Sequence, residues 1–360
     1  MRKRTATATS DHQAAVAGID LGSKRSEACL LDEQGAPLER VTLATTAAAL
    51  ERHFAHRPAL LIAIETGGQT NWVRRRLEAL GHRVLVADAR RVKLIWDTHS
   101  KDDRRDALFL AQIALRWPNL LHPIRPRSLA TDRRRALLTA RETLVGARVK
   151  LINTARGVLN AFGHKPPPAT SEAFARRITP LLPADLADSS HPLLLAIEAL
   201  STQIRRYDKQ VLALCDGPYR DATAPMRSIR GVGPLTALAF TLELDNDPRR
   251  LRDSRSAGAL VGLRPKRRDS GERSPQLAIT KTGNPMLRKL LVQCAHYILG
   301  AFGEDCALKR WGLGLAARTP GSRGKRRAVV ATARKLAVLL HTLWRKGETF
   351  DPSHGLPSPA

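Results

Sequence analysis

The chain has 360 residues, enough for two or three domains with cores of their own, and 60 Lys and Arg stand against 33 Asp and Glu, a formal charge of +27. The surplus, in which Arg strongly outnumbers Lys, is spread along the whole chain and points to DNA or RNA as partner before a membrane surface. No stretch approaches the roughly 20 continuous apolar residues of a membrane span, Met1-Arg2-Lys3-Arg4 lacks the apolar core of a secretory signal, and Cys29, Cys215, Cys294 and Cys306 form no C-x-x-C pair, so they read as reduced thiols of a cytosolic protein.

Residues 1–13 read as a disordered basic tail. Three short apolar runs follow, through Ala15–Asp20, Ala28–Asp32 and Leu38–Leu43, joined by short turns; they predict an antiparallel meander. Ala47 to Ala55 reads as a helix. Pro58 to Ile64 is a continuous apolar run suited to a buried parallel strand, and it ends in Glu65-Thr66-Gly67-Gly68. A helix from Asn71 to Leu80, closed by Gly81, precedes another strand at Arg83–Ala87. This order of elements predicts an α/β sheet domain.

Ser100-Lys101-Asp102-Asp103-Arg104-Arg105-Asp106 then opens a helix carried on by Ala107-Leu108-Phe109-Leu110-Ala111. Asp103 and Asp106 fall on one face of it, a turn apart, where like charges repel unless a cation lies between them. Asp20 and Glu65 each end a predicted strand, and ligands of open α/β sheets collect at the carboxyl ends of strands. Taken singly, Asp20 reads as a turn aspartate, Glu65 as a helix-capping acid and the Asp pair as a solvated helix start. Taken together, four carboxylates with no His or Cys suit Mg²⁺ or Mn²⁺, the ions that assist phosphodiester chemistry.

Gly18-Ile19-Asp20, Ile64-Glu65-Thr66-Gly67 and Lys101-Asp102-Asp103-Arg104-Arg105-Asp106-Ala107 resemble the RuvC-like DEDD domain of insertion-sequence transposases related to the Piv invertase, the bridge-RNA-guided recombinases. The resemblance implies a ribonuclease-H-like fold, Mg²⁺ or Mn²⁺ held by Asp20, Glu65, Asp103 and Asp106, and a bacterial, nucleoid-associated setting. Asp102 departs from the family's usual Thr, Ser or Asn, and by spacing Asp102 with Asp106 is an alternative pair.

Trp117-Pro118-Asn119 ends the first domain, and Leu121 to Arg127 reads as a proline-bearing linker. Residues 129–162 predict one long helix, with Leu137, Ala140, Leu144, Ala147, Leu151, Thr154, Val158 and Ala161 as a heptad stripe and Arg133, Arg134, Arg135, Arg141, Arg148 and Arg156 decorating it. A second stripe runs through Leu193, Ile197, Leu200, Ile204, Tyr207, Val211 and Leu214. The two predict an antiparallel hairpin, or pairing with another copy in a dimer or tetramer.

Ser228-Ile229-Arg230-Gly231-Val232-Gly233-Pro234 is a Gly-x-Gly turn entering a helix, whose N–H groups suit a DNA phosphate; a plain helix-entry turn is the equal alternative. With Leu260–Pro265, Ser270-Gly271 and Ile279-Thr280-Lys281-Thr282-Gly283-Asn284-Pro285-Met286-Leu287-Arg288, it resembles the family's C-terminal transposase domain. Lys281, Asn284, Arg288 and Lys289 are then expected at nucleic acid, with Gly231 and Gly233. The resemblance makes Ser270 the catalytic serine and Ser274 its neighbour to test; on its own Ser270 reads as a turn serine. Lys325 to Leu340 predicts an amphipathic basic helix, and residues 350–360 a tail. The expected layout is a tail at 1–13, a RuvC-like domain at 14–125, a long-helix region at 126–222, a mostly α C-terminal domain at 223–348 and a tail at 349–360.

Three enzyme classes compete. A recombinase needs both the carboxylates and the serine, whereas a hydrolytic RuvC-like nuclease or resolvase needs the carboxylates alone. A sugar-kinase or actin-like ATPase is the third, since Gly18 to Lys24 also resembles that superfamily's phosphate loop, but the second Asp-x-Gly loop it requires is missing and the charge of +27 is unexplained. A nucleic-acid-binding scaffold leaves the acids without a purpose. The expectation is a metal-dependent transposase that acts on DNA, guided by a non-coding RNA.

Overall fold

Turn residues and apolar runs divide the first hundred residues into strands with little ambiguity, and the computed structural model, which describes residues 14–89, 91, 102–268, 277–319 and 321–353, forms a sheet from them. The chain separates into two units between Pro126 and Arg127.

In the first unit β1 (Val16–Asp20), β2 (Arg25–Leu31) and β3 (Pro37–Ala44) form the expected antiparallel meander. Helix α1 (Ala47–Phe54), capped by the Thr46 hydroxyl, leads to β4 (Leu61–Glu65), α2 (Thr70–Ala79) and β5 (Arg83–Ala87). Both β4 and β5 run parallel to β1, and the sheet order is β3-β2-β1-β4-β5. Such a mixed five-stranded sheet is the ribonuclease-H-like arrangement. Alternation along β1 sends Ala17 and Ile19 into one core, with Ile62, Ile64, Leu50, Phe54, Val73 and Leu77. Val16 goes to the other face with Cys29, Leu31 and Ala63, under Ala107, Leu110, Ala111 and Ala114 of α3 (Asp103–Arg116). Beyond β5, Ile124 N–H donates to the Val86 carbonyl at 2.8 Å and Asp88 N–H to the Leu121 carbonyl at 3.1 Å, so the linker shields that sheet edge.

The second unit is helical: α4 (Leu129–Ala161), α5 (Phe174–Ile178), α6 (Ala187–Asp216), α7 (Arg220–Arg227), α8 (Pro234–Glu243), α9 (Ala257–Leu260), α10 (Pro285–Leu299), α11 (Ala307–Ala317) and α12 (Gly321–Lys346). Helices α4 and α6 run antiparallel. Leu138 shares a core with Val211 and Leu214 at one end, and Ile152, Ala155 and Leu159 share another with Leu194, Ile197 and Phe174 at the other. Helices α7 to α12 enclose the first of these cores, around Phe240, Leu287, Leu291, Leu336, Leu340 and Trp344.

The stripe expected on α6 is largely the buried one, through Ile197, Ile204, Val211 and Leu214. The stripe expected on α4 requires correction. Its buried column is Leu138, Arg148, Ile152, Ala155 and Leu159, one residue on, while Leu137, Leu144, Leu151 and Val158 are half-buried and Ala147, Thr154 and Ala161 exposed. Two apolar columns lie side by side on this helix, and periodicity cannot choose between them. Arg148 likewise does not decorate the surface. It is buried against α6, where its guanidinium donates to Ser201 Oγ at 3.2 Å and Glu172 Oε1 at 2.9 Å.

Candidate active site

Helix α3 lies directly on β1 because Gly18 has no side chain. A Cβ at Gly18 would come within 2.1 Å of the Ala107 carbonyl oxygen and 2.4 Å of the Ala111 nitrogen. Asp20 is the next residue on that face of β1, and it meets the turn of α3 that precedes Ala107. One carboxylate oxygen from each of Asp20, Asp103 and Asp106 lies within 4.8 Å of the others. The Gly-x-Asp spacing thus sets both the close approach and the acid beyond it.

Asp102 caps α3, its carboxylate accepting the Arg104 N–H at 3.1 Å, while Asp103 and Asp106 occupy the first helical turn. There the N-terminal end of the helix favours negative charge. Glu65 ends β4 one step beyond Ile64, the partner of Ile19, so it leaves the sheet on the side of Asp20 but outside the close group of three. An all-carboxylate set with oxygen donors at this spacing could hold a hard divalent cation. Sequence reasoning passed over Glu27, which stands directly opposite Asp20 in the β1–β2 ladder. The signal was the spacing of two along β2, which puts Glu27 on the face that buries Cys29 and Leu31.

The C-terminal candidates fall on turns and helix starts. Gly231 takes φ +100°, and a Cβ there would sit 2.5 Å from the Tyr297 ring; Gly233 precedes α8 as its N-cap. Residues 264–266 and 278–280 pair as a short arm, with Lys266 N–H donating to the Ala278 carbonyl and Thr280 N–H to that of Arg264. Ser270 and Ser274 lie outside the described residues. Lys281 is exposed at the base of the arm. Arg288 donates to the carbonyls of Val261 and Thr282, tying the two sides of that base together. Asn284 caps α10 by accepting the Met286 and Leu287 N–H groups, and Lys289 pairs with Glu142 of α4 at 2.7 Å.

The residue that gathers this unit is Glu243, which the sequence reading missed. It ends α8 buried, and accepts from Arg127 at 2.7 Å, from Asn284 Nδ2 at 2.8 Å and from Arg135. Burial by itself would raise its carboxyl, but the two guanidiniums and the Asn284 amide outweigh burial and hold it below the ordinary glutamate range. Asp245 beside it accepts from the Ser128 N–H and hydroxyl at 3.0 and 2.7 Å and from Arg250 at 2.8 Å.

Two family models match the chain. A transposase model of the IS110 DEDD type covers residues 17–163, and one described as the transposase IS116/IS110/IS902 family covers residues 224–307. The chain is 28% identical over 355 residues to the transposase for insertion sequence element IS1111A of Coxiella burnetii, covering 93% of this chain and 91% of that one. It is also 28% identical over 342 residues to the transposase for insertion sequence element IS1328 of Yersinia enterocolitica, covering 93% and 98%. Among the described residues no helix is long and apolar enough to cross a membrane.

Proposed function

The chain belongs to the IS116/IS110/IS902 family of transposases and moves an insertion sequence, and from that premise we propose that it does so by metal-dependent cleavage and exchange of DNA strands with a serine nucleophile, guided by an RNA. The observation that carries the metal-dependent half is the meeting of Asp20, Asp103 and Asp106 within 4.8 Å, with Glu65 on the neighbouring strand end. A divalent cation bound there supplies positive charge against the developing negative charge of a phosphodiester and lowers the pKa of an attacking hydroxyl. Asp20, Asp103, Asp106 and Glu65 would hold such an ion. Ser270 Oγ attacks a DNA phosphorus; the P–Oγ bond forms as a phosphorus–deoxyribose oxygen bond breaks, and the freed sugar oxygen takes up a proton. The serine needs such activation because its hydroxyl is a weak nucleophile at neutral pH.

DNA phosphates are met by the N–H groups of Gly231 and Gly233 and by Lys281, with Asn284, Arg288 and Lys289 beside them at the same nucleic-acid face; the Val232 N–H is taken by the Ile229 carbonyl at 2.9 Å. The charge of +27 in a chain with few aromatics favours backbone contacts, so base pairing by a non-coding RNA is the economical source of sequence choice. The homo-oligomer, a dimer or tetramer, rests on the heptad spacing of α4, of which Leu144 and Val158 are half-buried while Leu137 and Leu151 pack against the cores of their own unit. We assign residues 14–125 to the catalytic domain, 126–222 to the long-helix region and 223–348 to the serine-bearing domain. The test is a plasmid recombination assay run with a denaturing gel for protein–DNA adducts. Asp20→Asn and Asp103→Asn abolish recombination with nucleic-acid binding nearly intact, and Ser270→Ala removes the adduct where Ser274→Ala does not. An unchanged adduct with Ser270→Ala returns the chain to a hydrolytic nuclease.

A further inference from the structure

The ladder that places Asp20 also places Glu27. In an antiparallel pair directly opposite residues share a face, so Glu27 of β2 emerges beside Asp20. On its other side Glu27 is paired with Thr42 of β3, whose hydroxyl donates to Glu27 Oε1 at 2.7 Å. The second carboxylate oxygen, Oε2, stands 3.8 Å from Nε of Arg104. Arg104 lies in the first turn of α3, between Asp103 and Asp106, with its backbone N–H held by Asp102. The Glu27 side chain is 20% exposed and that of Arg104 71% exposed, so a guanidinium reaches from the rim of the acidic cluster into solvent with a sheet-anchored carboxylate behind it.

An ion pair this open adds little to stability, so the pair has little structural purpose. Its placement has a chemical one. The carboxylates of Asp20, Asp103 and Asp106 repel a polyanion, and a cation at their edge gives an incoming backbone a point of attachment. Arg presents its donors as a planar fork that suits phosphate. Glu27 does not join the three acids: one of its oxygens is taken by Thr42 and the other faces Arg104, and it lies outside the close group.

Resting on the metal-centre reading above, we infer that Arg104 contacts the DNA phosphate next to the one being cut, and that Glu27 is a positioning residue that aims it. Glu27 acts only through Arg104, and Thr42 fixes the direction of the carboxylate.

The test uses the full chain, a fluorescein-labelled duplex bound with Ca²⁺ in place of Mg²⁺ over a salt series, and plasmid cleavage over a Mg²⁺ series. Arg104→Ala weakens duplex binding about tenfold and lowers the slope of log affinity against log salt by about one. Glu27→Gln keeps the side-chain shape and weakens binding about three- to tenfold. The double variant binds no more weakly than Arg104→Ala, because the two residues act as one unit. The Mg²⁺ concentration for half-maximal cleavage stays at the wild-type value in Glu27→Gln, and so does the melting temperature. A shifted Mg²⁺ requirement in Glu27→Gln would make it a metal ligand and overturn the inference, as would losses that multiply in the double variant or unchanged binding in Arg104→Ala. Should Glu27→Gln fail to fold, Arg104→Gln with Thr42→Val gives the same comparison. Asp20→Asn separates the two readings: if it still cleaves, the metal centre is wrong, while the binding series continues to report on Arg104.

Discussion

Glu243 is an acid at the end of an apolar helix, and it is stable there because two guanidiniums and an amide converge on it. At 8% exposure it is a buried ion-pair partner, and its removal takes from Arg127 and Arg135 the carboxylate that both of them bind. Glu243→Gln is expected to cost about 3–5 kcal/mol, because breaking one side of a buried pair strands the other. The pH dependence has a definite sign. The folded carboxyl is held below its unfolded value, near 4.3, so its contribution is complete above that value and is lost as pH falls through the lower folded one. Acidification below about pH 4.3 therefore erodes wild-type stability more steeply than that of Glu243→Gln. Melting curves over an acid pH series check this, and parallel curves for the two proteins would refute it.

At the scale of elements, α3 and α4 differ in how much their sequences settle. Helix α3 has one apolar face, capped by Asp102 and begun by two acids, and it can lie only with Ala107 and Ala111 on Gly18. Helix α4 has two adjacent apolar columns, and its partner α6 decides that Ile152 and Leu159 are buried while Leu144 is half-exposed. Arg148 is accepted in the seam because Ser201 and Glu172 take up its N–H groups. Ile152→Ala is expected to destabilise by about 2–5 kcal/mol, the range for truncating a buried aliphatic chain. Leu144→Ala should cost under about half the Ile152 loss in a dilute monomer. Chemical denaturation of both variants tests the register, and equal losses would restore the stripe expected from the heptad pattern.

At the scale of the whole molecule, each unit has its own core: two clusters on the faces of the sheet in the first, and two along the helices of the second. The charge of +27 belongs to neither core and is what a polyanion meets. Since most contacts are expected at phosphates, affinity for an unrelated duplex should fall by about a thousandfold or more between roughly 50 and 200 mM salt. Fluorescence anisotropy over that range measures it. A flat curve would mean that apolar or base-specific contacts dominate.

The sequence by itself determined the order and type of the elements in the first unit. Strand alternation, Gly and Asp turns and helix caps are signals carried within a few residues of where they act, so β1 to β5, the long helices and the ends of β1 and β4 where Asp20 and Glu65 stand were legible. The likeness of three short motifs to a known family carried the functional expectation. Only the tertiary structure decided which groups meet. That Glu27 stands opposite Asp20 and beside Arg104 depends on the register of two ladders, and that Glu243 gathers Arg127, Arg135 and Asn284 depends on chain segments more than a hundred residues apart on one side. Which column of α4 is buried depends on α6. Local pattern records what a segment can bury, and the partner that buries it is chosen by the packing of the whole unit.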